Sequence, residues 1–245
     1  MLLTPSRCQP IVVSMPKMPR LVVPGLPHHV TQRGVRSIDI FRDDADRFAY
    51  LDHLRTEGER WGVEFLAWCL MTNHVHLIVM PEREDSLARG IGEAHKRYTR
   101  AINFRSGLRG HMFQGRFGSC VLDEPHLFAA ARYVDLNPVA AGIVDTPEAY
   151  AWSSARFHLD GRVKRDELVR DRTLMGLLPD PADWREFLGD GVEEIEEALL
   201  TKHLSTGRPL GELEFVRGLE KRTGRSLVAR KGGWPKGRKR GRRGN

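Results

Sequence analysis

The first regular pattern along the chain is the alternation in "HHVTQRG", where His29, Thr31 and Arg33 share one side against Val30 and Gln32. Residues two apart in a strand face the same way, so this stretch predicts a short first strand. "DDADRFAYLDHLRTEGERWG" places Phe48, Leu51 and Leu54 at helical spacing, with Asp43 or Asp44 to cap the start and Gly62 to close the end. "VEFLAWCLMT" and "HVHLIVM" read as two strands joined by a tight turn near Asn73. "DSLARGIGEAHKRYTRAINFRSG" predicts a second helix with the stripe Leu87, Ile91, Ala94, Tyr98 and Ile102. "RFGSCVLD" supplies a fourth strand and "EPHLFAAARYVDL" a third helix. That helix is expected to end at Asn137–Pro138, because the residue before a proline is pushed out of the α region.

The order β-α-β-β-α-β, followed by a further helix, predicts an α+β fold of ferredoxin-like type: an antiparallel sheet with helices on one face. After "AWSSARFH" the pattern changes to loop and helix, with an acidic run at Glu193, Glu194, Glu196 and Glu197, and "RPLGELEFVRGLEKRTGRSL" adds one more short helix. The expected division is a disordered N-terminus (1–17), a main domain (18–160), an accessory helical extension (161–224) and a disordered basic tail (225–245). Met15 and Met18, just ahead of "PRLVVPG", mark alternative starting points.

Composition narrows the class. The 245 residues, 40% hydrophobic and 29% charged, suffice for one good core plus an extension. The longest apolar runs, such as "FLAWCLM", fall far short of the ~20 residues that span a bilayer, and the "IVV" near the start is too short for a signal peptide. Cys8, Cys69 and Cys120 are odd in number and unpaired by spacing, which suits a reducing cytoplasm and argues against a disulfide scaffold or a cysteine-based zinc site. The net charge of +7 is concentrated at the end: from Arg225 onward there are nine basic residues and no acid. Such a glycine-rich, cationic tail cannot bury a core and attracts polyanions, most simply nucleic acid.

The stretch "TNHVHLIV" carries the first candidate chemistry. His74 and His76 project from one face of their strand, while Val75, Leu77 and Val79 point to the other, which is apolar enough for a core. Two neutral imidazoles on adjacent same-face positions can reach one metal ion, although half-exposed histidines on a strand need no such explanation. Among the four tyrosines, Tyr98 lies on an apolar helical stripe and reads as packing. Tyr133 shares a helix face with Asn137 four residues on, whose amide oxygen is a reasonable third ligand; a buried core tyrosine and a helix cap are the alternatives.

"PGLPHHVTQRG", "TNHVHLIV", "FQGRF", "RYVDLNPVAAG" and "AWSS" occur in that order. Together they resemble the REP-associated tyrosine transposases, a branch of the single-tyrosine HUH transposases that act on single-stranded DNA, over about Leu21 to His158. The "RPLGELEFVRGLEKRTGR" segment and the basic tail also resemble extensions found in that family. The resemblance implies a domain of that type over 18–160, His74 and His76 as metal ligands, Tyr133 as nucleophile, and Asn137 at the third ligand position, where relatives carry glutamine. It implies Mg²⁺ or Mn²⁺ as cofactor and cleavage and rejoining of DNA near hairpin-forming palindromes through a 5′-phosphotyrosine intermediate. It also implies a bacterial, cytoplasmic and nucleoid-associated protein, with monomer and dimer both open. Thr72 stands where the family has proline, and Ala140 where a basic residue is usual; the second departure weakens an expected DNA contact.

DNA contacts are expected from Arg33, Arg116, the basic side of the second helix (Lys96, Arg97, Arg100) and the tail (Arg238, Lys239, Arg240), because guanidinium forks suit phosphate. Phe113 and Phe117 are candidates for base stacking or for the core. A catalytically weak or domesticated nucleic-acid binder on the same fold is the competing reading. A non-cutting RNA-type sheet would show exposed aromatics where the histidines stand. A zinc hydrolase would need a third close ligand that the sequence does not offer.

Overall fold

The computed structural model describes residues 19–170, 174 and 181–228. The expected disordered N-terminus (1–17) and most of the basic tail, including Arg238, Lys239 and Arg240, lie outside the described residues.

Four strands form one antiparallel sheet in the order β2-β3-β1-β4: β1 (His28–Arg33), β2 (Val63–Leu70), β3 (His74–Pro81) and β4 (Gly118–Val121). Helices α1 (Asp44–Trp61) and α2 (Ser86–Ser106) complete the ferredoxin-like unit. Asp43 caps α1 by accepting from the backbone of Asp46, and Gly62 ends it in the left-handed conformation at φ 63°. The α2 stripe is buried as expected: Leu87, Ile91, Ala94 and Tyr98 are inaccessible and Ile102 nearly so. On α1 the buried face is Tyr50, Leu51 and Leu54, whereas Phe48, counted with that face by its spacing, is exposed and packs edge-on against Trp152.

Both amphipathic helices pack on the sheet face formed by Val30, Val75, Leu77 and Val79. The opposite face is not left to solvent. It receives α3 (Glu124–Ala140) and the extension helices α5 (Pro181–Gly189) and α6 (Glu194–Thr206), in a second core built from Cys69, Ile78, Ala130, Ala131, Val134, Trp184, Leu200 and Leu204. The helices of the repeat unit thus share one face, and the later ones close the other. Two inaccessible alanines, Ala130 and Ala131, let the α3 backbone approach the sheet closely. A short α4 (Ala155–Leu159) and α7 (Leu213–Thr223) complete the described chain.

α3 runs on through Pro138 to Ala140, where sequence reasoning had it stop. Proline fixes φ near the helical value, but it forfeits its N–H and crowds the carbonyl four residues back, so the helix continues past it only because packing on either side holds it. The turn then closes with the amides of Ala141 and Ile143 donating to the carbonyls of Asn137 and Pro138 at 3.0 Å each.

Both sheet edges are covered. Along β2, the "AWSS" segment lays its backbone beside the strand: the Leu70 amide donates to Trp152 O, and the Ser154 amide to Trp68 O. Along β4, Leu210 of the extension exchanges backbone bonds with Val121 and Asp123. Unpaired edges invite strand addition, and these two segments deny it. Arg225 and Leu227, assigned by composition to the tail, are seated: Arg225 donates to the carbonyls of Pro19 and Arg20, and Leu227 is buried.

Candidate active site

Register brings the first chemistry together. Antiparallel pairing sets Thr31 opposite His76 and Arg33 opposite His74, so β1 and β3 present His29, Thr31, Arg33, His74 and His76 on the face that α3 covers. The His74 and His76 ring centres lie 5.0 Å apart. The Tyr133 ring, delivered by α3, stands edge-on 5.3 Å from His76 and 6.1 Å from His29. His76, Tyr133, Arg33 and Arg116 line a cleft of about 480 Å³, together with Thr31, Gln32, Gln114 and Gly118. Its remaining wall is α6, through Thr201, Leu204 and Ser205.

The other three tyrosines serve the fold. Tyr50 bonds His95 at 2.8 Å, Tyr98 donates to Ile40 O at 2.5 Å, and Tyr150 donates to Leu70 O at 2.8 Å; all three are buried. Tyr133 is half-buried and faces the cleft. Burial, and after it Glu197, raise its pKa, while a side-chain bond from Asn137 and the charge of Arg33 pull the other way. The phenol is therefore protonated at neutral pH and needs help to lose its proton. The Asn137 side chain bonds the phenol. Asn137 does this from the last turns of a continuous helix, not from a freed helix end as the sequence suggested.

Three devices fix the azimuth of α3. Asp123 caps its start, accepting from the His126 amide and side chain, and also accepts from the Glu212 amide in the extension. Arg132 holds both carboxylate oxygens of Glu196 on α6, at 2.8 and 2.7 Å. At the far end, the inaccessible Asp135 carboxylate accepts from His158 Nδ1 at 2.8 Å and from Trp184 Nε1 at 3.0 Å. The other nitrogen of His158, Nε2, lies 3.1 Å from Leu66 O. Leu66 sits at the register break between Phe65 and Ala67, where the bulge frees its carbonyl from the ladder. An imidazole facing an acceptor at both nitrogens is doubly protonated. Burial opposes that charge, but Asp135 outweighs it and the His158 pKa is raised.

The residues fit a divalent cation by the chemistry of their donors. His74 and His76 are neutral, their pKa values pulled down chiefly by burial, to about 4 for His74. His74 Nδ1 lies 2.6 Å from Asn73 Oδ1, and His76 Nδ1 lies 3.0 Å from His29 Nε2. Both histidines are engaged at Nδ1; for His74 the partner is an amide oxygen, which leaves its Nε2 lone pair free, the usual way in which an outer partner orients a metal-binding imidazole. Among the described residues no group of three or more His, Cys, Asp or Glu side chains could hold a metal ion, so further ligands must be amide, water or substrate oxygens.

Next to the cleft, and sharing Gln32 and Arg116 with it, lies a larger cavity of about 840 Å³ between α2 and the "FQGRF" loop. Its lining includes Arg20, Lys96, Arg100, Arg109 and Arg116, and no acidic residue. Phe104, exposed at 90%, and Leu108 stand on its rim, while Phe113 and Phe117 form its buried side. The Arg20 guanidinium stacks 3.5 Å above Phe117; burial, and then the charge of Arg116, pull its pKa down to about 10. Gly115, at φ 70°, makes the turn that carries Arg116 past the end of β1, and Gln32 Nε2 bonds its carbonyl. Of the expected DNA contacts, Arg33 and Arg116 line the cleft, and Lys96 and Arg100 line the cavity. Arg97 turns away to the buried carboxylate of Glu57 at 2.9 Å. Arg20, Arg109 and His29 were not singled out from the sequence. The alternation of "HHVTQRG" already put His29 on the side of Thr31 and Arg33, which was the available signal.

Residues 24–137, from the loop before β1 to Asn137, match the family model described as IS200-like transposase. Over that stretch the chain is similar to the IS200-like transposases. The chain is also similar to a curated protein of Haemophilus influenzae named as a REP-associated tyrosine transposase, at 27% identity over 113 residues. That match covers 42% of this chain and spans 63% of the relative's length. The fold also matches that of a solved REP-associated tyrosine transposase bound to a REP hairpin, with a TM-score of 0.52 and 20% identity, over 65% of this chain and 94% of the other. No helix among the described residues is long and apolar enough to cross a membrane.

Proposed function

We propose that this protein cleaves and rejoins single-stranded DNA beside hairpin-forming palindromes, with Tyr133 as the nucleophile. The observation that carries the reading is the approach of Tyr133, on α3, to the His74–His76 pair of β3, with His76, Tyr133, Arg33 and Arg116 lining one cleft. His74 and His76 through Nε2, with the Asn137 carbonyl as third donor, would hold Mg²⁺ or Mn²⁺; imidazole donors favour the transition ion of the two. A bound divalent ion supplies Lewis-acid polarisation of the scissile phosphate.

The chain's own groups do the rest. The Tyr133 oxygen attacks phosphorus in line with the 3′ oxygen, so that a tyrosine–phosphorus bond forms as the P–O3′ bond breaks. The leaving 3′ oxygen gains a proton and the phenol loses one, with Asn137 and Arg33 stabilising the charge that develops on the phenol oxygen. The product is a 5′-phosphotyrosine and a free 3′-hydroxyl, and attack by a 3′-hydroxyl reverses the step without an external energy source. Arg33 and Arg116 hold phosphate oxygens at the cleft. The acid-free cavity beside it, with Phe104 at its rim, suits the bases and phosphates of the same strand. The tail would add salt-sensitive, largely non-specific affinity.

The test is a labelled single-stranded hairpin oligonucleotide incubated with the full chain and Mn²⁺, then run on a denaturing gel. A covalent adduct is expected with the native chain and with Tyr98→Phe, none with Tyr133→Phe, and little with His76→Ala. An adduct that persists in Tyr133→Phe and disappears in Tyr98→Phe would overturn the assignment.

A further inference from the structure

His29 is a buried, neutral histidine that the proposed chemistry has not used. It is inaccessible to solvent, and burial pulls its pKa down to about 3. Its Nε2 meets His76 Nδ1 at 3.0 Å, the ring centres being 5.2 Å apart. Its other nitrogen, Nδ1, is buried with no hydrogen-bond partner among the described residues. Two neutral imidazoles share one proton in such a contact, and there are two ways to place it. If His29 donates from Nε2, His76 carries its own proton on Nε2 and turns an N–H toward the cleft. If His76 donates from Nδ1, its Nε2 lone pair faces the cleft, and His29 must keep its proton on the orphaned Nδ1.

The second arrangement buries an unsatisfied donor, which ordinarily costs ~1–3 kcal/mol, so nothing in the fold itself selects it. The neighbouring histidine has no such choice. Asn73 Oδ1 only accepts, so His74 donates from Nδ1 and shows its Nε2 lone pair. We infer that His29 is a positioning residue: it accepts the Nδ1 proton of His76 so that His76, like His74, offers Nε2 to a divalent cation, and cation binding is what selects the otherwise unfavourable tautomer of the His29–His76 pair. This rests on the cation reading of the cleft.

The experiment measures Mn²⁺ affinity of the full chain without DNA, from the free-ion signal in electron paramagnetic resonance, for the native protein, His29→Leu and His29→Gln. Leucine removes the acceptor, whereas the glutamine carbonyl reaches about the position of His29 Nε2. The expected result is a 10–100-fold loss of affinity in His29→Leu and recovery to within about threefold of native in His29→Gln, the range seen for outer partners of metal-bound histidines. A second readout needs no variant: with Mg²⁺ bound, the ring ¹⁵N shifts of His76 should show the proton on Nδ1. Native affinity in His29→Leu overturns the inference and leaves the cation reading standing, whereas a His76 proton on Nε2 in the Mg²⁺-loaded protein overturns the inference and takes His76 out of the ligand set. A native chain that binds neither ion removes both.

Discussion

The bond network at Asp135 allows the sharpest prediction. Asp135→Asn keeps shape and one acceptor oxygen but removes the carboxylate bonded to His158. His158 cannot simply become neutral, because its two nitrogens face the Asp135 side chain and Leu66 O, and a neutral ring has one proton for two acceptors. The variant must bury an unpaired imidazolium or break one contact. Breaking a buried pair in this way costs ~3–5 kcal/mol. For a chain of this size 1 kcal/mol shifts the thermal midpoint by ~2–4 °C, so a fall of roughly 6–20 °C is expected. The pH dependence supplies a second check. The folded His158 pKa is raised, so its contribution is fully present below the unfolded value near 6.5 and is lost as pH rises through the folded value. Urea unfolding of native and variant chains at several pH values should show a gap widest near pH 6 that narrows in alkali. A gap under ~1 kcal/mol at pH 6, or one that grows toward pH 9, refutes the account.

The remaining expectations concern acid and the helix beside the cleft. His28, His29 and His95 are buried and neutral, held down to about 4, 3 and 3 mainly by burial. Their lowered values give the opposite sign to His158: stability is intact above 6.5 and is lost as pH falls, by about 2 kcal/mol per group at pH 5. Tryptophan fluorescence against pH should therefore show unfolding begin near pH 5, and a flat signal down to pH 4 contradicts this. At Gly118, an added Cβ would sit 3.0 Å from Leu204 O and 3.4 Å from Thr31 Cγ2. Gly118→Val should lift α6 from β4, cost ~1–3 kcal/mol by overpacking, and speed hydrogen exchange in α6; unchanged α6 protection argues against the packing described.

What the sequence disclosed follows from the range of each interaction. The α2 stripe and the α1 caps were readable because their partners lie within a few turns. Phe48 fitted the helical period but found its partner, Trp152, about a hundred residues away. The continuation of α3 past Pro138 depends on tertiary packing that outweighs a local preference. The alternation of "HHVTQRG" marked the side on which His29 lies, but the register that sets its strand beside that of His76, 47 positions on, is absent from local pattern. Arg97 and Arg100 look alike in sequence; only the placement of Glu57 on α1 separates a structural ion pair from a cavity wall. The contribution of α6 was the least visible, since Leu200 and Leu204 sit in a helix whose first turn is acidic.

That helix has a consequence for how such proteins diversify. The histidines, the tyrosine and the two cleft arginines all lie inside the segment shared with the wider family, while Thr201, Leu204 and Ser205 lie some sixty residues past its end. Reactive groups and the contour of the groove around them are thus encoded in separate stretches of gene. Changes confined to a thirteen-residue helix could reshape the cleft and leave the histidines, the tyrosine and the two arginines untouched.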